Sequence, residues 1–170
     1  MNIANKLTVL RILMIPVVIG FLLYGYVHIA LGLFVFATLT DFLDGYLARK
    51  LNMITNFGKF MDPVADKLLV LSVLMCFVEL GKLSSVVVII IFSRELIISI
   101  FRAIAASENI VIAAGFLGKI KTTVQFLMTM LIFIGFEGLY MDIIIWGCAG
   151  LTLASGAEYV WNNRKVISDL

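Results

Sequence analysis

The chain has 170 residues, 62% of them hydrophobic and 14% charged, with a formal net charge of +2. Soluble domains sit near about 45–50% apolar and about 25% charged, so this composition excludes an ordinary soluble domain, and the small net charge gives no electrostatic grip on nucleic acid. A helix needs about 20 apolar residues to cross the hydrocarbon of a bilayer, so the length allows roughly six or seven spans and leaves no room for a separate soluble domain.

Six apolar runs read as helices, in chain order 7–24, 28–48, 62–80, 83–106, 117–136 and 139–162. Strands of a membrane barrel would instead alternate in short segments. The first run carries a polar set, Asn5, Thr8 and Arg11, at its start. It has no small-residue cleavage site and holds Arg11 inside it, so no cleavable signal peptide is expected. Gly25 breaks the chain before the second run, which ends in "DFLDGYLARK". The polar segment Lys50–Lys59 leads to the third run, with Asp62, Pro63 and Asp66 in its first turns; Pro63 is expected at a helix start, where its missing N–H costs nothing. Gly81 and Lys82 precede the fourth run, which holds Arg94 and Glu95 mid-span and Arg102 beyond them. Ser107, Glu108 and Asn109 precede the fifth, which opens with Lys119 and Lys121. Glu137 and Gly138 precede the sixth. The whole is expected to be one transmembrane domain over residues 1–170, with no internal repeat.

The expected class is therefore all-α, a polytopic membrane protein with six transmembrane helices. Lys and Arg orient it. With the N-terminus in the cytoplasm, Lys6, Arg11, Arg49, Lys50, Lys59, Lys67, Arg102, Lys119, Lys121, Arg164 and Lys165 fall at cytoplasmic ends. Lys82 alone falls opposite, and Arg94 lies inside a span. By the positive-inside rule both termini are cytoplasmic. Cys76 and Cys148 each sit inside an apolar run without metal-ligand or redox spacing and are expected as small buried side chains. His28 is expected at the surface.

Four carboxylates stand out in this apolar background. Asp41 and Asp44 are spaced i, i+3, and Asp62 and Asp66 i, i+4; on helices each pair shares one face. The two helices are consecutive, so the four acids can converge. Left charged in a bilayer they would be costly, and together they would repel one another. Bound cations neutralise them most simply, and all-oxygen donors suit Mg²⁺, Mn²⁺ or Ca²⁺. Ion pairs with Arg49, Lys50, Lys59 and Lys67 are the alternative, which explains one acid better than four. Gly45, Ala48 and Gly58 admit either a close ligand or simple helix packing. Arg49 suits either a phosphate or a cytoplasmic anchor.

The order Asp41-x-x-Asp44-Gly45-x-x-Ala48-Arg49, eight residues, Gly58, three residues, Asp62, three residues, Asp66 resembles the signature of the CDP-alcohol phosphotransferases. Eight identities at set intervals make the resemblance specific. The segments "NIANKLTVLRILMIPV", "SRELIIS" and "GKIKTTVQ" are similar to the branch of that family whose acceptor is glycerol-3-phosphate.

The resemblance implies an enzyme that transfers a phosphatidyl group from CDP-diacylglycerol to glycerol-3-phosphate, giving phosphatidylglycerophosphate and CMP. It implies two divalent ions, Mg²⁺ or Mn²⁺, held by Asp41, Asp44, Asp62 and Asp66, with Asp66 as the catalytic base on the acceptor hydroxyl. Asp44, Gly45, Ala48, Arg49 and Gly58 would shape the CDP pocket. Asn5, Thr8 and Arg11 serve equally as contacts to the nucleotide or to the aspartate motif of the second run, or as helix-end caps and anchors. It implies a bacterial cytoplasmic membrane, a cytoplasmic-facing site and a homodimer. The acceptor's phosphate demands cations, for which Arg94, Arg102, Lys119 and Lys121 are the candidates; a structural pairing of Arg94 and Glu95 to another helix is the alternative. The core motif also fits another acceptor, such as inositol phosphate, serine or phosphatidylglycerol, and the acidic cluster alone would fit a cation transporter.

Overall fold

The computed structural model holds six α-helices, α1 (Ile3–Leu23), α2 (Val27–Lys50), α3 (Asn56–Glu79), α4 (Ser85–Ser107), α5 (Phe116–Phe133) and α6 (Leu139–Asn162), and no strand among the described residues. Those are residues 3–50, 56–107, 112 and 115–164, with the backbone alone at 3–6, 41–50, 56–60, 62, 63 and 107. The all-α class is as expected.

One helix departs from expectation. α3 starts at Asn56, not near 62. Phe57, Phe60, Met61, Val64 and Ala65 already repeat at helical spacing, and the interleaved Asn56, Gly58 and Lys59 hid that register behind polar residues. Pro63 is consequently the eighth residue of α3 and not part of its first turn. A proline there removes one backbone donor from the helix interior.

Three helices stop in the same way. Gly25, Gly81 and Gly135 have φ of 85°, 70° and 77°. At each the glycine N–H donates to the carbonyl three residues back, and the next N–H to the carbonyl five back. The pairs are Gly25 to Leu22 with Tyr26 to Phe21, Gly81 to Val78 with Lys82 to Phe77, and Gly135 to Ile132 with Phe136 to Leu131. This is the Schellman arrangement, and it asks for a residue without Cβ in the left-handed region.

The chain divides into two compact units, Met1–Lys82 and Leu83–Leu170. In the first, α1 packs against both α2 and α3, while α2 and α3 meet more sparsely. The buried face of α1 runs Thr8, Arg11, Val18, Leu22, and α2 and α3 supply Ala30, Phe34, Ala37, Ala65, Leu69, Val73 and Phe77. In the second, α6 packs against both α4 and α5. Its buried residues Met141, Ile145, Cys148, Thr152, Ser155 and Tyr159 recur every three or four positions along one stripe. Both cysteines are free and buried, and His28 is exposed, as expected.

Three buried hydroxyls of α5 and α6 are satisfied within their own helices. Thr129 donates to the Gln125 carbonyl at 2.8 Å, Thr152 to Cys148 at 2.7 Å and Ser155 to Thr152 at 3.0 Å. An unpaired hydroxyl in apolar surroundings costs free energy, and the local bond removes that cost without an interhelical partner.

All six helices expose large apolar side chains, among them Leu13, Phe36, Met75, Ile89, Leu127 and Trp146. Among the described residues, two helices, Phe116–Phe133 and Leu139–Asn162, are long and apolar enough to cross a membrane by length and composition, and Leu7–Leu23 and Val27–Thr40 are shorter apolar stretches. In α4 the charges Arg94, Glu95 and Arg102 interrupt the apolar run.

Candidate active site

The aspartate motif falls on the last turns of α2 and the first turns of α3. Positions 41 and 44 share one face of α2, and positions 62 and 66 one face of α3, because three or four residues make about one turn. The side chains of Asn5, Asp41, Asp44, Gly45, Ala48, Arg49, Gly58 and Asp62 lie outside the described residues. So do the connection 51–55 between α2 and α3 and Lys165. Asp66 is described and is half-buried, as is its neighbour Lys67.

Thr8 and Arg11 are 0% and 2% exposed. That burial decides against an interfacial anchor, which would keep the guanidinium in water. The short connection through Gly25 turns α2 back along α1. Positions equally distant from the turn share a level, and Arg11 and Leu39 each stand fourteen residues from Gly25 (25 − 11 and 39 − 25). Arg11 therefore sits level with the start of the aspartate motif in α2.

The second unit gathers a different cluster. Glu95 Oε1 accepts from Arg94 Nη1 at 2.8 Å and from Lys121 Nζ at 2.5 Å. The three side chains are 15%, 13% and 2% exposed, respectively. A buried charge is costly unless paired and hydrogen-bonded, and here one carboxylate serves two cations on two helices. The carboxylate is thus shared between two cations, and Glu158 stands nearby at Gly115. Arg94 Nε is buried and has no hydrogen-bond partner among the described residues.

Glycines make this packing possible. A Cβ at Gly118 would lie 3.2 Å from Arg94 Nη2, and one at Gly156 would lie 3.3 Å from Arg94 Cγ. One at Gly115 would lie 3.2 Å from Glu158 Oε2. Gly115 is the N-cap of α5 and makes no side-chain cap bond, so the Glu158 carboxylate stands where the helix dipole favours negative charge.

Of the four expected acceptor-binding cations, Arg94 and Lys121 come together. Arg102 is exposed and lies over the Tyr159 ring, 5.7 Å from its centroid. Lys119 is exposed while Lys121 is buried, as their alternation along α5 requires. The structural pairing to another helix, weighed as the alternative, is present through Glu95 and Lys121. Sequence reasoning did not name that partner, and it passed over Gly115, Gly118, Gly156 and Tyr159. Small residues within apolar helices were the available signal for the glycines; nothing local marked Tyr159.

Similarity to known proteins extends over most of the chain. Residues 1–154 match the CDP-alcohol phosphatidyltransferase family. A Bacillus subtilis protein named CDP-diacylglycerol–glycerol-3-phosphate 3-phosphatidyltransferase is 37% identical, over 98% of this chain and 97% of its own. A Rickettsia felis protein of the same name is 37% identical over 93% of each chain. A Pseudomonas fluorescens protein, again so named, is 47% identical over 60% of this chain and 55% of its own. The match takes in the aspartate-bearing ends of α2 and α3 and the charged segment of α4 and α5 alike, and the chain belongs to the CDP-alcohol phosphatidyltransferase family.

Proposed function

We propose that this protein transfers the phosphatidyl group of CDP-diacylglycerol to glycerol-3-phosphate, releasing CMP and forming phosphatidylglycerophosphate. The observation that carries this reading is the end-to-end similarity to relatives of that name, 37% identical over 98% of the chain. The acceptor's primary hydroxyl attacks the β-phosphorus of the CDP group. A new P–O bond forms, the bond to the CMP oxygen breaks, and CMP leaves with the electron pair. Asp66 takes the hydroxyl proton, for which it must come within about 2.6–3.2 Å of that oxygen.

Asp41, Asp44, Asp62 and Asp66 would hold divalent metal, two Mg²⁺ or Mn²⁺ ions. The donor set fits: four carboxylates, in pairs a helical turn apart, offer the hard oxygen ligands such ions prefer. Bound metal would supply positive charge to the pyrophosphate and to the attacking oxygen of the acceptor. Asn5, Thr8, Gly45, Ala48, Arg49 and Gly58 shape the nucleotide pocket, and the burial of Thr8 supports a role inside the protein. Arg94 and Lys121 bind the acceptor's phosphate, and exposed Arg102 and Lys119 draw the anion in. The support for Arg94 and Lys121 is their burial around the shared Glu95, because a charged group kept inside an apolar bundle marks a functional site by default.

All six helices cross the cytoplasmic membrane, both termini are cytoplasmic, and residues 1–170 act as one catalytic domain, working as a homodimer. The exposed apolar side chains on every helix support the spans, and the Lys and Arg asymmetry supports the orientation. Reporter fusions at residues 1, 82 and 170 test the topology, with only the one at 82 expected outside.

The deciding experiment measures CMP release by purified protein from CDP-diacylglycerol with a panel of acceptors. Release that needs both metal and glycerol-3-phosphate is the expected result. Release with inositol phosphate, serine or phosphatidylglycerol in its place would reassign the acceptor, and metal flux without CMP would make the protein a transporter.

A further inference from the structure

We infer that Gly118 and Gly156 are positioning residues for the acceptor's phosphate, an inference that rests on the reading of Arg94 as a ligand of that phosphate. The Arg94 side chain is bonded at one point and runs close past two glycines. Its stem passes α6 at Gly156, where an added Cβ would lie 3.3 Å from Cγ. Its Nη1 is bound by Glu95 at 2.8 Å. Its tip ends over the first turn of α5, where a Cβ at Gly118 would lie 3.2 Å from Nη2.

These contacts leave one edge of the guanidinium uncommitted. Nη1 is engaged, whereas Nε is buried and has no hydrogen-bond partner among the described residues. The Nε–Nη2 edge is one that can take two phosphate oxygens side by side. Gly118 lies against the Nη2 of that same edge, so any side chain at 118 displaces the donor that the phosphate would use. At 3.2 Å the displacement needed for a methyl is a few tenths of an ångström, and a binding constellation works within about 0.5 Å of its productive geometry. Nη2 is the far end of a flexible side chain, so it yields without unfolding the bundle. Gly156 acts nearer the root of the same side chain and sets the direction in which it leaves α4.

The test is steady-state kinetics of the purified full-length enzyme in mixed micelles, with KM for each substrate measured separately. Gly118→Ala should raise KM for glycerol-3-phosphate about threefold and Gly118→Val about tenfold, with KM for CDP-diacylglycerol unchanged. In an Arg94→Lys background, which has no Nη2 to displace, Gly118→Val should add nothing further. Gly156→Ala should also raise the acceptor KM selectively. If Arg94→Lys raises the acceptor KM and Gly118→Val does not, the positioning role is overturned while the reading of Arg94 stands. If Arg94→Lys leaves the acceptor KM unchanged, that reading falls and the positioning role falls with it. If Gly118→Val raises both KM values and lowers the melting temperature equally in both backgrounds, the glycine serves packing alone and the inference is overturned.

Discussion

Lys121 of α5 reaches Glu95 of α4 at 2.5 Å, and the lysine is the deeper partner, its side chain 2% exposed against 15% for the glutamate. The pair ties α4 to α5 through charge. It also leaves the lysine dependent on one carboxylate for its neutralisation, which Arg94 shares.

Glu95→Gln should therefore be strongly destabilising, because it leaves two adjacent cations without their counter-charge. Breaking one side of a buried pair costs about 3–5 kcal/mol. Thermal denaturation in detergent should show the loss. Lys121→Met added to Glu95→Gln should recover part of it, since an apolar side chain of similar volume needs no partner.

Lys121 and Lys119 separate cleanly by burial. Lys121→Met is expected to raise KM for glycerol-3-phosphate by about tenfold or more, the loss of one charge-assisted contact. Lys119→Ala should change it by less than about threefold, because an exposed cation is screened by solvent and salt. Equal effects at the two positions would contradict a buried acceptor site.

Asp66→Asn keeps the shape of the side chain and removes its basicity. CMP release should fall by about 100-fold or more, while yield, helicity and melting temperature stay near those of the unaltered protein. A variant with substantial activity would remove Asp66 from the role of base.

Chelation should abolish CMP release, and Mg²⁺ or Mn²⁺ should restore it. The oxygen-only donor set accounts for both ions. Full activity after exhaustive chelation would exclude the carboxylates as metal ligands.

Gly135→Ala should cost about 1 kcal/mol in stability, because φ of 77° at this position suits a residue without Cβ. Kinetic constants of the surviving enzyme should be unchanged. A melting curve and one saturation curve suffice to check both.

Much of this architecture is legible in the residues, for identifiable reasons. Six apolar runs predict six helices because burial and backbone pairing leave an apolar segment few other options. The stops at Gly25 and Gly81 follow from the one conformation that glycine adopts more readily than other residues. The aspartates are legible because the set spacing of chemically costly groups is itself the signal. The start of α3 is not, since its polar residues obscure the register of Phe57, Phe60 and Met61 until the helix is seen. Arg94 and Glu95 announce a cost in α4, but local sequence does not reveal that Lys121, twenty-six residues away, helps meet it. Partner choice is decided by helix packing, and so is the need for glycine at 118 and 156.

The three glycine-terminated helices carry one more consequence. At each end backbone N–H groups meet two of the last carbonyls, so those two bonds need no polar side chain. The residues beside two of these bends, at Gly25 and Gly135, are left free to be bulky and ring-bearing, as Tyr24, Tyr26 and Phe136 are, all of them exposed. Such side chains settle at the boundary between lipid and water. Stopping and mooring are thus assigned to different amino acids, and either can change over generations while the other is kept.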